Sequence, residues 1–294
     1  MQPCRTRLTL AFASLVFGAV SVSAIEPSAI ETLSSGELVI LNITAGIEKV
    51  SGTNVRTKLV NDFGSFQAVG FTVAPVTGGD EFLVSLRLRF SATGSFPHLN
   101  RYNSAGKKTA EWYLREGGGV LADIAVDSAH NIAYCSDSRL NAIYQLDISN
   151  ERSSFVTLVR IRDAGILGPM ILDANRGRLL IADVEKGRIL SVMLDGSRRV
   201  EVVFDQGTVA EPIAMILDRD NDRLYILDAA RKRVWVGTPI GSKWSVKAFS
   251  TSQKFKEPIS LALARDGSLW VADRGQRRVW LFAADGTTLR TVVP

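Results

Sequence analysis

The sequence predicts an all-β ring of six four-stranded units, and three observations carry that prediction. The first is an internal repeat. Leu179-Leu180-Ile181-Ala182-Asp183 with Arg188 recurs as Leu224-Tyr225-Ile226-Leu227-Asp228 with Arg233, and as Leu269-Trp270-Val271-Ala272-Asp273 with Arg278. A weaker copy ends at Asp137, with Ile143 behind it. The second is the step. Second strands end at Asn42, Leu86, Asp137, Asp183, Asp228 and Asp273, spaced 44, 51, 46, 45 and 45 residues apart. A period of about 40–50 residues built from short strands signals a propeller or array. The third is that helical periodicity is nearly absent, while turn residues punctuate short apolar runs. Together they predict a closed six-bladed β-propeller whose closure removes exposed sheet edges.

The chain opens with Arg5 and Arg7, an apolar run from Leu8 to Val20, and small residues Val22-Ser23-Ala24. That is the order of an export signal, and the run is shorter than the roughly 20 residues that cross a bilayer. Cleavage near Ala24 is expected, giving a secreted or periplasmic chain of 270 residues, monomeric and with no membrane-spanning segment. Cleavage removes Cys4 and leaves Cys135 inside a strand pattern, so no internal disulfide is expected. The formal charge of +5 becomes +3 without Arg5 and Arg7. A mild, evenly spread excess on an exported chain argues against nucleic acid as partner.

The blades are read in order as residues 28–64, 65–117, 118–165, 166–207, 208–254 and 255–294. In the first, Leu38–Leu41, Ile47–Val50 and Thr57–Val60 are strands. Ser28–Leu33 supplies a further strand unless a terminal strand crosses over. The second has Gln67–Val73, Glu81–Leu86 and Leu99–Asn103. The third, fourth and fifth begin at Asp123, Pro169 and Pro212, and each first strand runs into an Asp- and Asn-rich turn. The last blade is the clearest. Glu257–Leu263 precedes the turn Arg265-Asp266-Gly267, where glycine supplies the positive φ of a tight hairpin. Ser268–Ala272, Arg278–Phe282 and Thr288–Val292 follow.

Arg178-Leu-Leu-Ile-Ala-Asp183, Gly187-Arg188-Ile189 and Leu194-Asp195-Gly196 resemble the YWTD repeat of lipoprotein-receptor propellers. Ile259 to Asp273 resembles an NHL repeat. Both belong to the wider TolB-like class, with gluconolactonase-like (SMP-30-type) and strictosidine-synthase-like enzymes. Asp80–Arg87, Pro97–Tyr102 and Ala122–Ser138 are similar to segments of the yellow/major royal jelly proteins. The gluconolactonase likeness implies a divalent cation on the axis, Ca2+ or Mn2+, held by Glu, Asn and Asp. The Asn-Gly those enzymes carry at a first strand is replaced here by Gly168-Pro169 and Ala210-Glu211-Pro212. Lyase-type NHL enzymes hold zinc with histidines, and this chain has only His98 and His130.

Asp137, Asp183, Asp228 and Asp273 read as blade fasteners. Each is placed to accept backbone N–H bonds from the next loop, and the last three to pair with the arginine five residues on. Attention therefore falls on first strands, which line a propeller's axis. Glu211 and Glu257 precede equivalent prolines, Gln67 falls at the same position, and Asp123 lies further along its own strand. Converging carboxylates there would hold a hard cation or act as general acid and base, so Glu211 and Glu257 are the catalytic candidates. Asp123, Glu211 and Glu257 are the metal candidates. Arg139, Lys186, Arg188, Arg231, Lys232, Arg274 and Arg277 fall on loops that share one face, a basic rim suited to an acidic ligand. The expected ligand-binding set is Gln67, Asp123, Glu211, Glu257, Arg231 and Arg274. The partner expected is a protein or small molecule. The rival expectation is a lactone or ester hydrolase, or a strictosidine-synthase-like enzyme, acting at the axis. Asn42-Ile43-Thr44 is a glycosylation sequon, and the five tryptophans are expected to fill gaps between blades.

Overall fold

A computed structural model describes residues 28–42, 46–51, 56–76, 79–88, 96–205, 207–240, 243–249 and 254–292. The export signal, Cys4 and most of the Asn42 sequon lie outside them. Six four-stranded antiparallel sheets make the molecule. The first blade holds β1 (Ala29–Thr32), β2 (Leu38–Asn42), β3 (Gly46–Val50) and β4 (Arg56–Val60). The second holds β5 (Phe66–Val76), β6 (Gly79–Leu88), β7 (His98–Tyr102) and β8 (Lys108–Tyr113). The third holds β9 (Leu121–Asp127), β10 (Ile132–Asp137), β11 (Ala142–Asp147) and β12 (Val156–Arg160). The fourth holds β13 (Leu167–Asp173), β14 (Arg178–Asp183), β15 (Arg188–Met193) and β16 (Val200–Phe204). The fifth holds β17 (Pro212–Asp218), β18 (Arg223–Asp228), β19 (Arg233–Ile240) and β20 (Lys243–Ala248). The sixth holds β21 (Pro258–Leu263), β22 (Leu269–Asp273), β23 (Arg278–Phe282) and β24 (Thr288–Val292).

Within each blade, strands pair in chain order, so every blade is one continuous stretch of sequence. The first strands β1, β5, β9, β13, β17 and β21 pack against one another around the axis. The segment from Ser28 does supply β1, and among the described residues no terminal strand crosses over. Ring closure between β1 and β21 is therefore a face-to-face contact. Ile30 N–H donates to Ser260 Oγ (3.2 Å), and Thr32 Oγ1 donates to the Leu263 carbonyl (2.7 Å).

The core is divided the same way. Six apolar clusters lie one between each pair of neighbouring blades. Second strands are sandwiched on both faces, which is why β14, β18 and β22 read as unbroken apolar runs ending in a buried aspartate. Trp112, Trp270 and Trp280 are buried between blades as expected, whereas Trp235 and Trp244 are only part-buried.

Turns follow their residues. Gly267, at φ +80, closes the hairpin whose Ser268 N–H donates to Asp266 Oδ1 (2.9 Å). Gly106 allows a close approach: a Cβ there would lie 1.8 Å from the Leu59 carbonyl oxygen of the neighbouring blade.

Candidate functional site

The fastener aspartates fix the loops of one face. Asp183 Oδ1 accepts from Gly165, Ile166 and Lys186 N–H, and Arg188 Nε donates to Oδ2 at 3.0 Å. Asp228 accepts from Ala210, Glu211 and Arg231 N–H. Asp273 accepts from Lys256, Glu257 and Gln276 N–H. Each aspartate thus ties the loop after a second strand to the segment entering the first strand.

The arginine five residues on completes this clamp only in the fourth blade, which corrects the sequence reading. In the fifth, Arg231 takes that role (3.0 Å) with Trp235 Nε1 (3.1 Å), and Arg233 lies 5.3 Å over the Trp235 ring. In the sixth, Gln276 Nε2 donates to Asp273, and Arg278 lies 5.5 Å over Trp280. The cause is two residues downstream, on the same strand face. Trp235 and Trp280 offer a ring to the guanidinium, where the fourth blade has Leu190. The third blade has no arginine there. Asp137 Oδ1 accepts from Val120, Arg139 and Leu140 N–H, and Oδ2 is buried with no partner. Burial raises Asp137 above the usual carboxylate range. For Asp228 burial acts in the same direction, but hydrogen bonds from Ala210, Trp235 and Arg231 outweigh it and hold the group low.

The four predicted channel residues separate into two places. Asp123, on β9, lies in the bore, where its Oδ2 accepts from Met170 N–H of the next blade at 2.7 Å. Its companion is Glu31 on β1. Burial pushes Asp123 up to about 7. Burial, and then the charge of Asp123, pushes Glu31 up to about 8. Cys135 lies near the same charge, and its thiol is raised by burial and then by Asp123 and Asp137, an inert state.

Glu211 and Glu257 do occupy equivalent positions, but outside the bore, at the entrances to β17 and β21. Their N–H groups donate to the Asp228 and Asp273 clamps. Burial and then Asp228 raise Glu211. Glu257 is exposed and held by the Arg274 guanidinium, which lowers it. Gln67 Oε1 accepts from Arg87 Nη2 of its own blade at 3.4 Å.

Among the described residues, no group of three or more His, Cys, Asp and Glu side chains is placed to hold a metal. The Asp123, Glu211 and Glu257 set thus does not fit a hard cation, because the clamps hold the two glutamates at the strand entrances. Glu31 and Asp123 supply only two carboxyls. His98 is buried on β7, and its Nε2 lies 3.5 Å from Glu111 Oε1. His130, in an exposed turn of the third blade, pairs with Asp127 at 2.8 Å.

Arg139, Lys186, Lys232 and Arg277 are exposed on the clamped loops; Lys186 Nζ donates to the Asp163 carbonyl, Arg231 pairs with Asp228 and Arg274 with Glu257. Sequence reasoning missed Glu31, whose signal is a lone acid amid Ala29-Ile30-Glu31-Thr32. It also missed a lateral groove of about 1030 Å³ between the fourth and fifth blades. Phe204, Trp235, Trp244, Arg178 and Ser191 help line it. Gly237 makes room at its floor, since a Cβ there would lie 3.2 Å from Phe204 and 3.3 Å from Trp244.

No protein-family model matches the chain, and no curated relative matches it. Solved structures do. A chain of a nidogen/laminin complex superposes with TM-score 0.65 at 16% identity, covering 90% of this chain and 92% of that one. Virginiamycin B lyase from Staphylococcus aureus gives 0.64 at 12% identity, covering 92% and 85%. An auxiliary nutrient binding protein from Bacteroides thetaiotaomicron gives 0.67 at 12% identity, covering 87% and 68%. At these identities the likeness establishes the six-bladed propeller fold alone, which serves binding proteins and a lyase alike.

Proposed function

We propose that this chain is an exported propeller that binds a partner or small ligand at the channel mouth, on the face formed by the clamped loops. The observation that carries this reading is the clamp itself. A repeated buried aspartate fixes successive loops before any ligand arrives, so the ordering cost of binding is met in advance. Exposed Lys232 and Arg277 give that face donors for an acidic ligand. Arg231 and Arg274 contribute less as free charges than as supports for Asp228 and Glu257.

The test is titration of the chain against a labelled poly-glutamate peptide at several salt concentrations. Binding that weakens with salt and falls about tenfold or more in a Lys232→Glu/Arg277→Glu variant supports the reading. Salt-independent binding, or binding that the reversal leaves intact, removes the rim from it.

A second reading is an enzyme of the bore. It is favoured by the raised Glu31 and Asp123, two carboxyls that exchange protons near neutral pH and have the character of a general acid–base pair. A panel of lactones and esters decides it. Turnover abolished by Asp123→Asn and unaffected by Glu211→Ala/Glu257→Ala would replace the binding reading with this one.

A further inference from the structure

Neighbouring blades splay apart outward, and the wedge between them is filled by their third strands. Ala142, Arg188, Arg233 and Arg278 stand opposite the four fastener aspartates. Three residues further on, the side chain faces the next blade, and the series reads Gln145, Ser191, Val236 and Leu281. Four residues further on, it faces the previous blade, and the series reads Leu146, Val192, Gly237 and Phe282. The wedge between the fourth and fifth blades therefore sets Ser191 against Gly237, the smallest residue of each series. Gly237 yields its space to the rings of Trp244 and Phe204, which meet edge to face at 5.8 Å. Ser191 lines the groove, and its buried Oγ has no partner among the described residues. Buried hydroxyls are nearly always paired, so this one is left for what enters.

The walls carry rings on one side and carboxylates on the other. Trp235 and Trp244 are the two tryptophans not buried between blades, and both line this groove. Register places them on one face of β19 and β20, on either side of the Gly237–Val246 pair. Both are held in place: Trp235 by its N–H bond to Asp228, Trp244 by Phe204 and by the guanidiniums of Arg176 and Arg178 at 5.7 and 5.8 Å. Across from them, Glu201 pairs with Ser191 and so faces the fifth blade, and Asp205 follows it at the end of β16. Both carboxylates are exposed. Glu201 is held by an exposed pair with Arg199 (3.1 Å), which is easily exchanged. Arg178 spends its Nε on Asp173 (2.9 Å), and its terminal nitrogens make no hydrogen bond to the described residues.

We propose that this groove binds a neutral oligosaccharide. At about 1030 Å³ it matches the largest ligand pockets, which run to roughly 1,000 Å³, so it suits an extended ligand. Glu201 and Asp205 repel an anion, and Arg178 opposes a cation. Sugar hydroxyls each donate and accept, so one neutral chain uses the carboxylates, the guanidinium and Ser191 together. Its C–H groups cover the exposed indole surface of Trp235 and Trp244. A peptide is disfavoured, because the strands along the floor already spend their backbone groups on their own ladders and leave none for its backbone.

An array of neutral glycans tests this, followed by titration of the best one by calorimetry. The wild type is expected to bind at least one glycan, with an affinity that salt leaves unchanged. Glu201→Ala/Asp205→Ala removes two exposed side chains without touching the core, and should weaken binding about tenfold or more. Ser191→Leu places on the floor the residue that the sixth blade carries there, and should abolish binding. Should that variant fail to fold by circular dichroism, the double alanine variant decides alone. A wild type that binds no glycan on the array overturns the proposal. So does a glycan whose affinity the double alanine variant leaves unchanged, or a groove that takes a peptide library and no glycan.

Discussion

Glu31→Gln should make the protein more stable, increasingly so with rising pH. Glu31 moves from its ordinary 4.5 to about 8 on folding, and Asp123 from 3.8 to about 7. Both bind their protons more tightly folded than unfolded. Between about pH 4 and pH 8 the folded chain therefore holds more protons, and stability falls as pH rises through that window, levelling off above it. At about 1.36 kcal/mol per pH unit, Glu31 alone accounts for a loss of roughly 5 kcal/mol by pH 9, and for less than about 1 kcal/mol at pH 5. Glutamine keeps the shape and has no charge to bury. Urea unfolding followed by circular dichroism at pH 5, 7 and 9 should show the two proteins nearly equal at the first pH. The variant should pull ahead by about 4–5 kcal/mol at the last. A wild type and variant with parallel stability profiles would refute the reasoning, since Glu31 would then be as well hydrated as any surface carboxylate.

The clamps make a comparative prediction. Asp183→Asn leaves Arg188 without its buried acceptor and should cost about 2–4 kcal/mol, whereas Asp137→Asn, whose Oδ2 has no partner to lose, should cost under about 1 kcal/mol. The opposite order in urea titrations would undo the account of the missing arginine. Gly106→Ala drives a methyl into the Leu59 carbonyl at φ +78 and should cost about 3 kcal/mol or more, while Gly36→Ala, at φ +85 with open space around it, should cost about 1 kcal/mol. Equal melting temperatures for the two would remove the close approach as the cause. Arg274→Ala should let the Glu257 carboxyl rise toward its ordinary value, seen as an upward shift of its carbon-13 titration, and an unmoved titration would show that Arg274 does not hold it.

The blade count, the strand positions and the fastener aspartates were legible because they recur, and recurrence at a fixed step reports the repeating unit directly. Leu86, in a diverged blade without an aspartate, still marked the right place. It pairs with Ala68 at the inner-strand irregularity, the position Asp137 holds opposite Leu121. The site was harder to read. Alignment correctly made Glu211 and Glu257 equivalent, but a position along a strand does not say on which side of the entrance a side chain leaves. The backbone clamps hold both glutamates at the strand entrances, and Arg274 draws Glu257 to itself. Glu31 was hidden because its strand has no repeat signature. The partners of Arg233 and Arg278 depended on tryptophans two residues away, a competition between a carboxylate and a ring that spacing alone does not rank.

The closure between β1 and β21 has a mechanical side. Among the described residues no strand is shared across it, so no backbone ladder crosses from the last blade to the first. What spans the junction is apolar packing around Ile30, Trp270 and Val279, with side-chain bonds from Ser260, Thr32 and Arg290. Consecutive blades are also joined by the chain itself, whereas these contacts alone hold the first blade to the last. A blade lost there leaves as one uninterrupted run of sequence, with its own four strands still paired.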